Sequence, residues 1–220
     1  MELDAGSVTL RRTPRQDRSN QRIDLILDTT ATLIEEHGFN ELSMTLIAKR
    51  IGMSGAGIYR YFDGVGAVAG ALVTRNLERL VALITVELQG ADEPWDVTLR
   101  RIITMYSDLC RTEPGFRWMR LGNAVDRNLM DAALSNRTIL ARMLRDLFSE
   151  RYEVLPRPDL LEHVEVIVEI VDSVIARAFE TNPDGDPFFI DEAGRVVVDY
   201  LGAYLERTLA DAEAALAQSA

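Results

Sequence analysis

Apolar residues recur along most of this chain at intervals of three and four, the spacing of one face of a helix. Over residues 17–37, Ile23, Ile26, Leu27, Thr30, Ala31 and Ile34 form one such stripe, and Gly38 ends the helix they predict. A second pattern runs over 65–88 and stops at the breaker QGADEP. A third, over 94–111, opens with proline and carries Val97, Leu99, Ile102, Ile103, Met105, Tyr106 and Leu109 before EPG at 113–115 ends it. A short helix is predicted at 116–122, and longer ones over 125–152, from a capping Asp159 to 181, and over 191–216. No alternating strand pattern and no repeat of fixed period stands out. The fold class is therefore all-α.

The last two helices are apolar on more than one stripe. Leu160, Val164, Ile167, Val168, Val171, Val174 and Ile175 belong to the first, and Val197, Leu201, Tyr204 and Leu205 to the second. A helix apolar on two faces must be buried on two faces. Packing on the chain's own body and on a symmetry mate would satisfy both, in a four-helix dimer interface; the alternative is a helix buried wholly within one chain. Val164, Ile167, Val171, Val174, Val197, Leu201, Tyr204 and Leu205 are the candidate dimer residues.

Residues 43–62, SMTLIAKRIGMSGAGIYRYF, have a different texture. Ser43 and Ser54 can each cap a helix, because a serine hydroxyl accepts from free backbone N–H groups. Ile47, Ala48 and Ile51 face one way, and Gly52 stands where the chain must leave the first helix. Ile58 returns an apolar side chain toward it. This is the spacing of a helix-turn-helix, whose second helix can enter a DNA major groove.

Charge at first argues against DNA, since the 220 residues carry a net charge of −11. Its distribution reverses that reading. Residues 1–62 hold eight Lys and Arg against eight Asp and Glu, so the whole acidic excess lies in 63–220. A phosphate backbone would be repelled by the body and tolerated by the N-terminal segment. Arg11, Arg12, Arg15, Arg18 and Arg22 cluster there, and residues 1–16 read as a polar, flexible arm able to follow phosphates or a minor groove. Lys49 is the chain's only lysine. No apolar run reaches the roughly 20 residues of a membrane span. The opening residues lack the apolar core of a secretory signal, and the single Cys110 admits no intrachain disulfide. A cytoplasmic protein without membrane partners is expected.

Three stretches, RIDLILDTTATLIEEHGFNELS, SMTLIAKRIGMS and IYRYF, resemble the tetracycline-repressor (TetR) family of bacterial transcription regulators. The resemblance covers roughly residues 20–70. It implies a three-helix DNA-binding domain over 17–64. A fourth helix would join it to a larger helical domain, over 65–220, that binds a small molecule and dimerises. It also implies that Ser43 is the capping position and Thr45 a DNA contact. Ser54, Gly55, Ala56 and Gly57 would open the recognition helix, and Tyr59, Arg60 and Tyr61 would face outward from it. Lys49 joins this candidate surface. Two departures are visible. Val65 stands where family members usually place a phosphate-binding lysine, beside Asp63, and glycines at 55 and 57 offer no side chain to a base. Readout then leans on Thr45, Ser54, Tyr59, Arg60 and Tyr61, with Arg60 directed to a guanine edge or a phosphate.

Candidate pocket residues are the large, adaptable side chains of the body: Met105, Tyr106, Cys110, Trp118, Met119, Met143 and Phe148. Glu169 and Asp172 lie on an otherwise apolar helix, either as a solvated stripe or as a carboxylate that selects a cationic ligand. Gly64-x-Gly66-x-x-x-Gly70 lacks the preceding strand of a dinucleotide site. No metal-ligand spacing and no nucleophile motif stands out, so neither cofactor, metal nor enzymatic activity is expected. The expected function is a homodimeric, ligand-responsive repressor on a near-palindromic operator. The alternatives are an activator, a regulator answering to a protein, or a helical binding protein or enzyme that has lost DNA binding.

Overall fold

The computed structural model describes residues 14–87, 92–116, 127–152 and 158–218. Among them stand eight α-helices and no strand: α1 Pro14–His37, α2 Met44–Arg50, α3 Gly55–Ile58, α4 Val65–Glu87, α5 Trp95–Thr112, α6 Arg127–Tyr152, α7 Leu160–Ala178 and α8 Pro187–Gln218. Arg11, Arg12, Trp118, Met119 and most of the expected short helix at 116–122 lie outside the described residues.

Two helices begin earlier than the apolar pattern predicts, each on a proline. α1 starts at Pro14, so Arg15, Arg18 and Arg22 belong to a helix rather than to an arm. α8 starts at Pro187, and the Asp186 carboxylate accepts from the Phe188 N–H at 3.0 Å. Proline suits a first helical position because its missing N–H would be unpaired there anyway. In α1 the first turn, PRQD, is polar and leaves no apolar periodicity to read. Asp159 precedes α7 but caps nothing with its side chain; its carboxylate accepts instead from Tyr204 Oη of α8, at 3.1 Å.

Two cores form. The first unites Ile26, Leu27, Leu33 and Ile34 of α1 with Ile47 and Ala48 of α2, Ile58 of α3 and Val68, Leu72 and Val73 of α4. The second begins at Leu77 of α4 and takes in the buried faces of α5 to α8. Packing thus passes from one core to the other inside α4, between Val73 and Leu77.

α7 and α8 pack chiefly on each other, and that packing takes up five of the eight expected dimer residues. Val164, Ile167, Val197, Leu201 and Tyr204 are all buried within the single chain. Val171, Val174 and Leu205 are half-buried against the same core. Side chains with almost no exposed surface have nothing left to bury on a partner. An all-round apolar helix met its need for two burial faces inside the body, between α8 on one side and α6 on the other.

Candidate nucleic-acid interface and effector cavity

The DNA-facing candidates sit on α2, α3 and the turn after α3. Ser43 caps α2, its Oγ accepting from the Leu46 N–H at 3.2 Å. α2 ends in a Schellman pair, Met53 N–H to Ala48 O at 2.9 Å and Gly52 N–H to Lys49 O at 3.3 Å. Gly52 takes φ +66°, the left-handed conformation that glycine adopts without strain. Ser54 caps α3, accepting from the Gly57 N–H at 3.1 Å. A Cβ on Gly57 would stand 3.0 Å from that same Ser54 Oγ, whereas one on Gly55 would meet nothing within 4 Å. The second glycine therefore has a local reason, a crowded cap, and the first leaves its backbone bare.

α3 is a single turn, and Tyr59, Arg60 and Tyr61 fall on the turn that follows it. Ser43, Thr45, Lys49, Ser54, Gly55, Ala56, Tyr59 and Arg60 are all exposed. The two tyrosines divide. Tyr59 is 55% exposed, while Tyr61 packs against the first core. Arg60 is held by its neighbour: Nη2 donates to Tyr61 Oη at 3.0 Å, and the guanidinium lies 5.0 Å from that ring's centroid. Arg50, beside Lys49 at the end of α2, is engaged elsewhere. It grips Glu36 of α1 through both Nη atoms, at 3.1 and 2.5 Å, and holds that carboxyl below its ordinary range. Val65, at the position of the family's lysine, packs against the first core.

In the body, a cavity of about 50 Å³ lies between four helices. Leu80 and Ile84 of α4 and Leu99, Ile102 and Ile103 of α5 form one side of its wall. Leu140 and Leu144 of α6 and Ile167, Val168 and Val171 of α7 form the other. Among the described residues Tyr106 and Asp172 also border it, though the surface the cavity exposes is apolar, and Tyr106 Oη donates to Asp172 Oδ1 at 3.1 Å. Arg137 Nη2 reaches Asp172 Oδ2 at 3.2 Å, and Nη1 reaches Glu169 at 2.6 Å. Burial pushes the Tyr106 phenol well above its ordinary pKa and the nearby Cys110 thiol up to about 12, with the Asp172 charge adding to both.

Of the expected pocket residues that are described, Tyr106 and Asp172 line this cavity. Cys110 and Phe148 are buried in the second core, Met105 and Met143 pack on its edge, and Glu169 is exposed beside Arg137. Ile167 and Val171, expected at a dimer interface, form cavity wall instead, because a 100° step per residue puts them on the face of α7 that holds Val164 and Val168. The aliphatic lining was visible in the sequence as helical stripes. Periodicity marks a buried face, and a cavity wall and a packed core share that signature.

The two cores touch at a second place besides α4. The loop after α5 lies against α1, so close that a Cβ on Gly115 would stand 2.9 Å from Ala31 Cα. Arg79 Nη2 of α4 donates to Glu113 of the same loop at 2.9 Å, and Arg75 of α4 pairs with Asp28 of α1 at 2.8 Å. The neighbouring Phe116 ring packs edge-on to Tyr106, 5.9 Å between centroids, so this loop also reaches a cavity residue.

A capped helix-turn-helix on a helical body with a small cavity is an architecture used by DNA-binding transcriptional regulators. The comparisons specify which. Residues 26–68 match the bacterial regulatory proteins of the tetR family, and residues 93–205 match the tetracyclin repressor-like C-terminal domain. A TetR-family transcriptional regulator from Streptomyces coelicolor has 32% identity and a TM-score of 0.69, over 83% of this chain and 98% of its own. The chain belongs to the TetR family. Two HTH-type transcriptional regulators of Mycobacterium tuberculosis are 36% identical over 87 residues; the match spans 40% of this chain and 43% of theirs. FadR from Bacillus subtilis, solved with stearoyl-CoA, shares the fold at 14% identity and a TM-score of 0.65, over 80% of this chain and 96% of its own.

Proposed function

We propose that the protein is a homodimeric repressor that leaves a near-palindromic operator when a small molecule enters the body cavity. The observation that carries this is the double use of α4. Leu80 and Ile84 form cavity wall, while Val68 and Leu72 of the same helix belong to the core under the helix-turn-helix. At about 50 Å³ the cavity is small, so an effector larger than a few atoms must push its walls apart. Moving one end of a continuous helix moves the other, and the contact of Gly115 with Ala31 carries displacement to α1 as well. Release needs an effector that binds the displaced state better, not merely tightly.

Dimerisation would use what the single chain leaves exposed or half-exposed, which includes the half-buried Val171, Val174 and Leu205. Val166, Ile170, Ser173 and Arg177 follow i, i+4, i+7 and i+11 along the outer side of α7, with Val166 41% exposed. A second copy would place two recognition segments about 34–36 Å apart, one turn of DNA. Acting on the chromosome, such a regulator works in the bacterial cytoplasm. The test is selection of bound fragments from random DNA, followed by affinity against salt. A paired half-site motif and an affinity falling at least tenfold between 50 and 200 mM salt are expected. No enrichment at low salt would leave a helical binding protein that has lost its operator.

A further inference from the structure

The body cavity offers an occupant nothing but carbon. Ten of the twelve described lining residues are Leu, Ile or Val, and the surface the cavity exposes is apolar. The two polar residues on its border are turned to other partners. Tyr106 gives its proton to Asp172 Oδ1, and Asp172 Oδ2 takes Arg137 Nη2. This network ties α5, α6 and α7 together beside the cavity without presenting a polar atom to it. A water molecule there would lack the polar partners it needs. A hydroxyl, an amine or a carboxylate would meet the same walls. Each would leave its hydration behind and gain no hydrogen bond in exchange, at a cost of about tenfold or more in affinity against a hydrocarbon of the same shape.

Resting on the regulator reading above, we infer that the effector places a compact hydrocarbon group, with no polar atom of its own, in this cavity, and that the cavity selects it by shape and carbon contact alone. Such a group gives up no hydrogen bond on leaving water and gains contact with Leu80, Ile103, Leu144 and Val168. Size fixes the consequence. About 50 Å³ is room for about four water-sized groups, so a ring or a branched chain enters only by moving the walls apart. Leu80 belongs to α4, whose other end holds Val68 and Leu72 in the core under the helix-turn-helix, and that wall is the one whose movement reaches DNA.

Benzene, pyridine and phenol, alike in ring size, are the probes, with 4-phenylbutyrate as a ring whose charge stands at the end of a short chain. Binding to the full-length protein is read from the methyl resonances of its Ile, Leu and Val residues, and release of the selected operator from fluorescence anisotropy. Benzene is expected to shift the methyls of Ile103, Leu144 and Val168, to bind about tenfold or more tighter than pyridine or phenol, and to release DNA. Val168→Ile adds one methylene to the wall and should weaken benzene about tenfold. Should that variant fail to fold, Ile103→Val removes one methylene and should tighten benzene about twofold or more. Pyridine or phenol binding at these methyls as tightly as benzene overturns the inference. Benzene bound there without release also overturns it, leaving the cavity a packing void, and so does the lack of any shift. In each of these cases a selected operator keeps the repressor reading. If no operator is selected that reading falls, and the methyl shifts alone decide whether the cavity takes a hydrocarbon. Tighter binding of 4-phenylbutyrate than of benzene assigns the group to the end of a longer molecule, and the reverse assigns it to a free hydrocarbon.

Discussion

Gly115→Ala tests the second contact between the two cores. Two penalties act there, and they can be separated. Gly115 has φ +72°, a conformation costing an L-residue roughly 1–2 kcal/mol. Its added Cβ would also stand 2.9 Å from Ala31 Cα, 3.0 Å from Ala31 Cβ and 3.1 Å from Ala31 O. Those atoms belong to the α1 backbone or its first side-chain carbon and cannot rotate away, so relief requires the loop and helix to separate. Overpacking of this kind costs about 1–3 kcal/mol. Gly52→Ala is the reference: φ is +66°, and its Cβ would meet nothing within 4 Å. It incurs the conformational penalty alone. Gly185→Ala is the second reference, since its Cβ would strike Phe179 and Ile190 within the body, away from α1. Urea unfolding should rank Gly115→Ala about 1–3 kcal/mol less stable than Gly52→Ala. At temperatures where each is folded, Gly115→Ala should also change operator affinity or effector response, and Gly185→Ala should not. If Gly115→Ala matches Gly52→Ala in stability and wild type in DNA binding, the contact plays no part in communication between the cores.

Ser43→Ala and Ser54→Ala each remove a cap from a helix of at most seven residues and should cost about 1 kcal/mol apiece by urea titration; unchanged midpoints would refute the capping assignment. Arg60→Ala should weaken operator binding. Footprints over a panel of mutated operators will show loss at one base pair, about 1–3 kcal/mol, if it reads guanine, and uniform loss if it meets phosphate; no loss of either kind would remove Arg60 from the interface. At alkaline pH the buried Cys110 keeps its proton in the folded chain up to about 12, while the unfolded thiol loses it from about 8.5. The native state then binds more protons, so stability should fall by up to about 1.4 kcal/mol per pH unit between pH 9 and 12. Cys110→Ala should show a shallower fall from pH 9 to 10.5 in chemical denaturation, and an unchanged slope would place the titration elsewhere.

Much of this protein is local and was legible in its residues. The Ser43 and Ser54 caps, the left-handed Gly52 and the stripe from Ile26 to Ile34 each depend on interactions within a few positions. These are the interactions that spacing and residue type encode. For the same reason the helix-turn-helix and its family could be read directly, and the two departures at Val65 and Gly57 could be seen though not explained. What depends on distant pairs could not be read. Whether Ile167 faces a partner, a packed core or a cavity is decided by what α4, α5 and α6 bring opposite it. The apolar pattern of α7 is the same in all three cases. The assignment of Asp172 to a buried lining and of Glu169, three residues earlier, to the surface likewise turns on where α6 places Arg137. The meeting of Gly115 with Ala31, 84 positions apart, had no local sign beyond a glycine that also ends a helix. Local propensity determined which segments are helices and which end can meet DNA. The tertiary packing decided where the cavity lies, which carboxylate is buried beside it, and how the body touches the reading head, because those are properties of surfaces that meet only when the chain is folded.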